Sequence, residues 1–226
     1  MKNKSYIGIS FIILIFGIIF VPRIINRIKD GTTVDNDRMS SAKDAKKEAA
    51  LYKIGPAPQF KLTNQDGKII TNKEYNGKVY VLEFFFSTCP TICPKMNQNM
   101  LLLQKEFSKD SDFGIASITI NPENDTPQVL KEHAKELGVT SKNWNFLTGE
   151  KDYIMNLANK GFTLYAGENS KVNGGFEHSG LFALIDKKGN IRCRKDDYNN
   201  PILYYDGIDS KGIKAIKEDI KLLLEE

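Results

Sequence analysis

Cysteine and histidine are scarce in this chain. Its 226 residues include three cysteines and two histidines, so any redox or metal chemistry must come from very few side chains. Acidic residues are missing from the first 29 positions, which carry Lys2, Lys4, Arg23, Arg27 and Lys29. Outside that segment 27 basic residues face 28 acidic ones. The formal net charge of +4 therefore belongs to the N-terminus, and the body carries no nucleic-acid footprint. No internal repeat is present. Hydrophobic residues make up 41% of the chain, enough for a core, and the length suits one domain plus extensions.

The longest apolar run is Ile7 to Val21, IGISFIILIFGIIFV, with no charge. No A-x-A-like small residues follow it, and no cysteine stands behind it to carry a lipid. It predicts an uncleaved transmembrane anchor over residues 6–25 behind a short cytoplasmic tail, 1–5. The uncharged run is short of the ~20 residues a span needs, so Tyr6, Ile24 and Ile25 are counted in. A cleaved signal and a buried core helix are the alternatives. Flanking positive charge nearly ties. The short leading tail and a cysteine pair place the body outside the cytoplasm, on the outer (periplasmic) face of the inner membrane. A polar linker, 26–55, then leads to a domain over 56–226.

Within that domain, Asn64-Gln65-Asp66-Gly67 between two short alternating runs predicts a hairpin. Lys78 to Phe86, KVYVLEFFF, reads as a strand covered on both faces, and Phe113 to Ile120 as another. Met96, Met100, Leu103 and Phe107 share one helical face. Thr126-Pro127 reads as the start of a helix that ends at Gly138. Trp144 to Leu147 is a short strand, and Lys151 to Lys160 a helix. Ala166 to Gly175 reads as a long exposed loop. Gly180 to Asp186 and Ile191 to Arg194 form a second hairpin, and Ile208 to Leu224 a closing amphipathic helix. This order is an α/β pattern. It is compatible with a thioredoxin-like fold carrying an extra N-terminal β-hairpin and an internal one.

The chemistry gathers at Ser87 to Pro94, STCPTICP, where a buried strand becomes a helix. A helix N-terminus favours thiolate over thiol, and residues four apart share a helical face. Cys89 and Cys93 can thus share one site, as a redox pair open to disulfide formation, a metal clamp or a structural staple. His178, in GFEHSG just before a buried strand, lies beside the cysteine turn if the sheet is thioredoxin-like. Two thiolates and one imidazole form a soft set suited to Cu(I), whereas zinc usually takes a fourth ligand. His133 and the helical Met96 and Met100 read as structural. Cys193 reads as a buried strand residue.

STCPTICP after an apolar strand, NPENDTP after the next and EHSGLFALID further on resemble the Sco (SenC) family of copper chaperones. The resemblance spans about Pro56 to Glu226. It implies a thioredoxin-like fold at the outer face of a membrane, and copper, as Cu(I) or Cu(II), held by Cys89, Cys93 and His178. It also implies a partner, the copper-site subunit of cytochrome c oxidase or another copper protein. One departure stands out. The family pattern D-P-E-x-D-T reads here Asn121-Pro122-Glu123-Asn124-Asp125-Thr126, so Asp125 keeps the second acid and Asn121 replaces the first. Asp125 is either an auxiliary site residue or a charge favouring the adjacent helix.

Two functions follow. One is a metal-binding assembly factor rather than a turnover enzyme. The other is a thiol–disulfide oxidoreductase cycling Cys89 and Cys93. Thioredoxin-type oxidoreductases carry a proline before the strand facing the cysteines; Glu177-His178-Ser179-Gly180 has none. A peroxiredoxin-like threonine three residues before Cys89 is also missing, since Phe86 stands there.

Overall fold

KVYVLEFFF is the strand around which the domain is built. In the computed structural model, which describes residues 10, 14–18, 20, 21 and 51–226, β4 (Val79–Phe85) is buried along its whole length. So is β5 (Phe113–Thr119), which pairs with it in parallel from Val79↔Phe113 to Phe85↔Thr119. β6 (Trp144–Thr148) continues the parallel set. Strands wet on neither face must be apolar throughout, as these largely are. The parallel connections run through α1 (Cys93–Glu106) and α2 (Pro127–Leu137).

Antiparallel strands extend both sides. β2 (Lys61–Asn64) and β3 (Ile69–Thr71) form the expected hairpin, with Leu62 opposite Ile70, and β2 adds to β6. On the other side β9 (Leu181–Ile185) pairs with β4, followed by β10 (Asn190–Cys193) and β1 (Tyr52–Pro56). β11 (Tyr205–Asp206) adds to β9. The main sheet therefore reads β1-β10-β9-β4-β5-β6-β2-β3. Separately, β7 (Ala166–Glu168) and β8 (Phe176–His178) pair as a two-stranded ribbon.

Local chemistry explains the helix ends. Thr126 caps α2 by accepting from Val129 N, Pro127 fills the first turn, and Gly138 closes it at φ 78°. α3 (Lys151–Asn156) is capped by Glu150 and runs into a π-helical turn, Leu157–Phe162. α4 (Ser210–Glu225) buries Ile213, Ile216, Ile220 and Leu223, the face read from the sequence.

Several expectations need correction. The sheet begins at Tyr52 rather than Pro56, because β1 pairs with β10, so residues 52–55 are not linker. Residues 51–226 form one compact unit. The run Ala166–Gly175 is not a featureless loop, since its start is β7. The 151–160 helix leaves α geometry after Asn156. The anchor expected over 6–25 falls largely outside the described residues. Those that are described (10, 14–18, 20 and 21) are helical. Among the described residues no helix is long and apolar enough to cross a membrane.

A half-buried ion pair ties α4 to the end of β10: Asp219 is buried, whereas Arg194 is about a third exposed. Asp219 is 2% exposed and accepts from Arg194 Nη2 at 2.7 Å, Arg194 Nε at 2.9 Å and Tyr205 Oη at 2.6 Å. Removing one partner of such a pair strands a charge away from water. Arg194→Met is expected to cost about 1.5–3 kcal/mol in denaturant unfolding, less than a fully buried pair because Arg194 is partly screened by water. Neutralising the exposed Glu218, which also meets Arg194, should cost less than about 1 kcal/mol; equal losses would contradict this account.

Candidate metal centre

The cysteine turn leaves the carboxyl end of β4, where β5 also ends. Asp125, wholly buried in the loop after β5, fastens it there. Its carboxylate accepts from Ser87 N at 2.9 Å, Ser87 Oγ at 2.5 Å, Thr119 Oγ1 at 2.5 Å and Asn124 Nδ2 at 2.8 Å. Asp125 is therefore a tether between strand ends, and the helix cap is its neighbour Thr126. Asn121 contributes main chain: its N–H donates to Thr119 Oγ1 at 3.0 Å, and its carbonyl accepts from Asn124 and Asp125.

From Ser87 the chain turns back on itself. Cys89 N–H donates to Phe86 O at 3.3 Å, and α1 starts only at Cys93. The expectation that both cysteines share a helical face is thus corrected: Cys89 lies in the turn ahead of the helix. Pro90 gives the reason, because the residue before a proline avoids the helical region. Pro94 is tolerated in the first turn. The end of α1 has no side-chain cap, which leaves main-chain N–H groups and their partial positive charge at the sulfurs.

His178 arrives on the ribbon as the last residue of β8 and is 9% exposed. Because β9 runs antiparallel to β4, the chain just after His178 lies at the strand end where the cysteines follow. Nδ1 lies 3.1 Å from Ser179 O. A carbonyl only accepts, so Nδ1–H is the donor there, and Nε2 is the ring nitrogen left to face the sulfurs. Nε2 lies 3.0 Å from Cys93 Sγ. Phe86 stands edge-on to the ring, 5.9 Å between centroids. A Cβ at Gly174, where φ is 93°, would press on Phe86 and Pro90 at 3.0–3.2 Å, so the ribbon's turn sits close on the cysteine loop.

Cys89, Cys93 and His178 each offer one ligand atom, and these lie within 4.8 Å of one another. The cysteines are free thiols in the structure. They are unequal. The hydrogen bond from Cys93, opposed by burial and aided by His178 and Thr91, pulls Cys89 down to about 3. Cys93 is pushed far up, first by pairing with the Cys89 thiolate and then by burial. Cys89 is thus the thiolate and Cys93 the thiol. A cleft of about 520 Å³ opens beside Cys89, lined by Phe86, Ile92, Tyr165, Phe176 and His178.

The remaining candidates fall where the sequence put them. Met96 and Met100 are fully buried in the core. His133 stacks on Phe85 and is held below its ordinary pKa by burial. Cys193 is fully buried, its thiol raised by burial and by Asp219. Sequence reasoning missed Glu83, although a lone acid within KVYVLEFFF was the signal. Its Oε1 accepts from Ser117 Oγ at 2.7 Å, Ser117 Oγ accepts from Trp144 Nε1 at 3.0 Å, and its Oε2 has no partner. Burial raises Glu83 to about 7.

The fold and this cluster define a class: a thioredoxin-like domain whose Cys-x-x-x-Cys turn faces a histidine. A family model described as SCO1/SenC matches residues 49–210. The chain belongs to that family. It is 32% identical over 181 residues to the SCO1 protein homolog of Bacillus subtilis (strain 168), spanning 77% of this chain and 84% of that one. The solved structure of BsSco, presented as a cytochrome c oxidase assembly protein of the Sco family with a disulfide switch, is 28% identical. It superposes with a TM-score of 0.65 over 77% of this chain and 97% of its own. Yeast Sco1 with copper bound is 28% identical, with a TM-score of 0.55 over 74% of this chain and 88% of its own.

Two outcomes are expected. Iodoacetamide should alkylate Cys89 at pH 5 nearly as fast as at pH 7 and spare Cys93. A rate that rises only near pH 8–9 would contradict the thiolate assignment. For Glu83 the folded state holds its proton up to about pH 7, whereas the unfolded chain releases it near the ordinary glutamate value of 4.5. Stability is therefore lost as pH rises from about 4.5 to about 7. Glu83→Gln should stabilise by on the order of 3 kcal/mol at pH 8 and have little effect at pH 4. A pH-independent difference in denaturant midpoint would refute this.

Proposed function

We propose that the chain is a membrane-anchored copper-binding assembly factor that helps metallate the binuclear copper site of cytochrome c oxidase. Its ligands are Cys89, Cys93 and His178. The carrying observation is the three-atom cluster with Nε2 turned toward the sulfurs. Metal–sulfur and metal–imidazole bonds of about 2.0–2.3 Å put three donors round one ion roughly 4 Å apart, so the cluster fits one metal with little movement. Two sulfurs and an imidazole suit copper, and zinc would lack its usual fourth ligand. The copper-bound relative supports the same reading.

Copper is cargo here. Cys89 meets it already ionised, while Cys93 must release its proton to become a ligand. The cleft beside Cys89 is the side from which a partner's ligands approach, and transfer proceeds by exchanging one sulfur at a time. The domain works on the outer face of the membrane, anchored through residues 6–25. The uncharged run from Ile7 to Val21 supports this placement.

The unequal thiols support a second reading. The Cys89 thiolate attacks a partner's disulfide and forms a mixed disulfide; the Cys93 sulfur, once deprotonated, then displaces the partner's thiolate. The pair ends oxidised and the partner's two cysteines reduced. The disulfide switch ascribed to BsSco is in line with this chemistry.

Anaerobic Cu(I) titration of the full chain against a chromophoric chelator separates the two. One copper per chain is expected, abolished by Cys89→Ser and weakened at least ten-fold by His178→Ala. Absent binding, or binding indifferent to His178→Ala, would overturn the three-ligand site. Disulfide reduction retained by His178→Ala would favour the second reading.

A further inference from the structure

His178 belongs to a ribbon that is not part of the main sheet, so something outside the ribbon must fix its place. In the β7–β8 register His178 stands opposite Ala166. Both main-chain groups of Ala166 are taken by one side chain. Asn159 Nδ2 donates to Ala166 O at 2.7 Å, and Asn159 Oδ1 accepts from Ala166 N at 3.1 Å. Since these groups point away from β8, Ala166 and His178 form a non-hydrogen-bonded cross-strand pair, the kind in which side chains lie closest. Ala166 itself is 3% exposed. The position of His178 therefore rests on packing against a residue that Asn159 holds.

Asn159 is itself held. Its Nδ2 also donates to Met155 O at 3.0 Å, and it sits in the π-helical turn Leu157–Phe162. Each residue of an α-helix advances about 100°, and a π turn alters where the residues within it face. A second fastening lies at the other end of β7, where Lys151 Nζ pairs with Glu168 and stands 5.8 Å from the Phe176 ring centroid.

We infer that Asn159 is a positioning residue for His178, acting through Ala166, and that the π turn serves to present it. This rests on the copper reading only for its effect on the metal; the placement of His178 is a property of the metal-free chain. Loss of Asn159 leaves the Ala166 N–H and C=O unpaired at a buried site. The ribbon then shifts, and His178 moves away from Cys93 while the cysteine turn stays under Asp125.

The test uses the full chain and the variants Asn159→Ala, Asn159→Asp and Asn156→Ala. Asn156 bonds Asp152 O on the same helix, so it controls for general loosening. In the metal-free chain, amide exchange at residues 166 and 176–179 should speed at least ten-fold in Asn159→Ala, less in Asn159→Asp, and hardly at all in Asn156→Ala. Asn159→Asp keeps the acceptor for Ala166 N and serves if the alanine variant fails to fold. In the Cu(II)-loaded chain, Asn159→Ala should shift the thiolate-to-copper absorption and the nitrogen hyperfine signal toward those of His178→Ala. Exchange and spectra equal to the parent's, or the same change in Asn156→Ala, would overturn the inference. If His178→Ala itself leaves the parent's copper spectra unchanged, the copper reading fails, and the exchange result still decides the role of Asn159.

Discussion

A single buried carboxylate sets the geometry on which the site depends. Asp125, itself wholly buried, ties Ser87, just past the end of β4, to Thr119, at the end of β5, through short hydrogen bonds. Charge-assisted bonds in a dry setting are among the stronger ones available to a loop. They fix where the chain leaves the sheet. From that point Pro90 keeps Cys89 out of the helix, and Cys93 becomes its first residue. The two sulfurs therefore meet across a turn, with unequal surroundings, rather than along a helical face with similar ones.

That inequality is the electrical character of the site. One sulfur lies at the cleft and carries charge; the other is 1% exposed, keeps its proton and lies 3.0 Å from the Nε2 of His178. Proton and charge are thus already separated before any metal or partner arrives. A centre so arranged can take up a cation with the loss of one proton, or exchange a disulfide with a defined attacking sulfur. Both chemistries draw on the same geometry, and the histidine decides between them. Its Nε2 adds a third ligand atom, which a metal uses and a disulfide does not. Glu83, buried within β4 and only half satisfied, shows that the sheet beneath the site also carries a cost in stability.

Much of this was legible in the sequence. The apolar runs of β4 and β5, the hairpin at Asp66-Gly67, the cap at Thr126-Pro127 and the α4 face are local signals, and each element formed where its residues indicated. The cysteine pair was legible as a motif and His178 from its place before β9. What stayed hidden depends on partners distant in the chain. β1 is exposed at four of its five residues and contains Gly55 and Pro56, so nothing but its pairing with β10 makes it a strand. β7 is three residues, Ala-Gly-Glu, defined only by β8. The role of Asp125 is set by Ser87, 38 positions away. Asn159 gives no local sign that it meets Ala166.

The central claim is that two sulfurs and one imidazole nitrogen take hold of one copper ion. X-ray absorption at the copper edge of the Cu(I)-loaded chain tests this most directly, since it counts ligands by element and distance. The account expects two sulfurs and one nitrogen in the first shell, with the outer-shell scattering of an imidazole ring. A shell of sulfur alone, or one made only of nitrogen and oxygen, would contradict it.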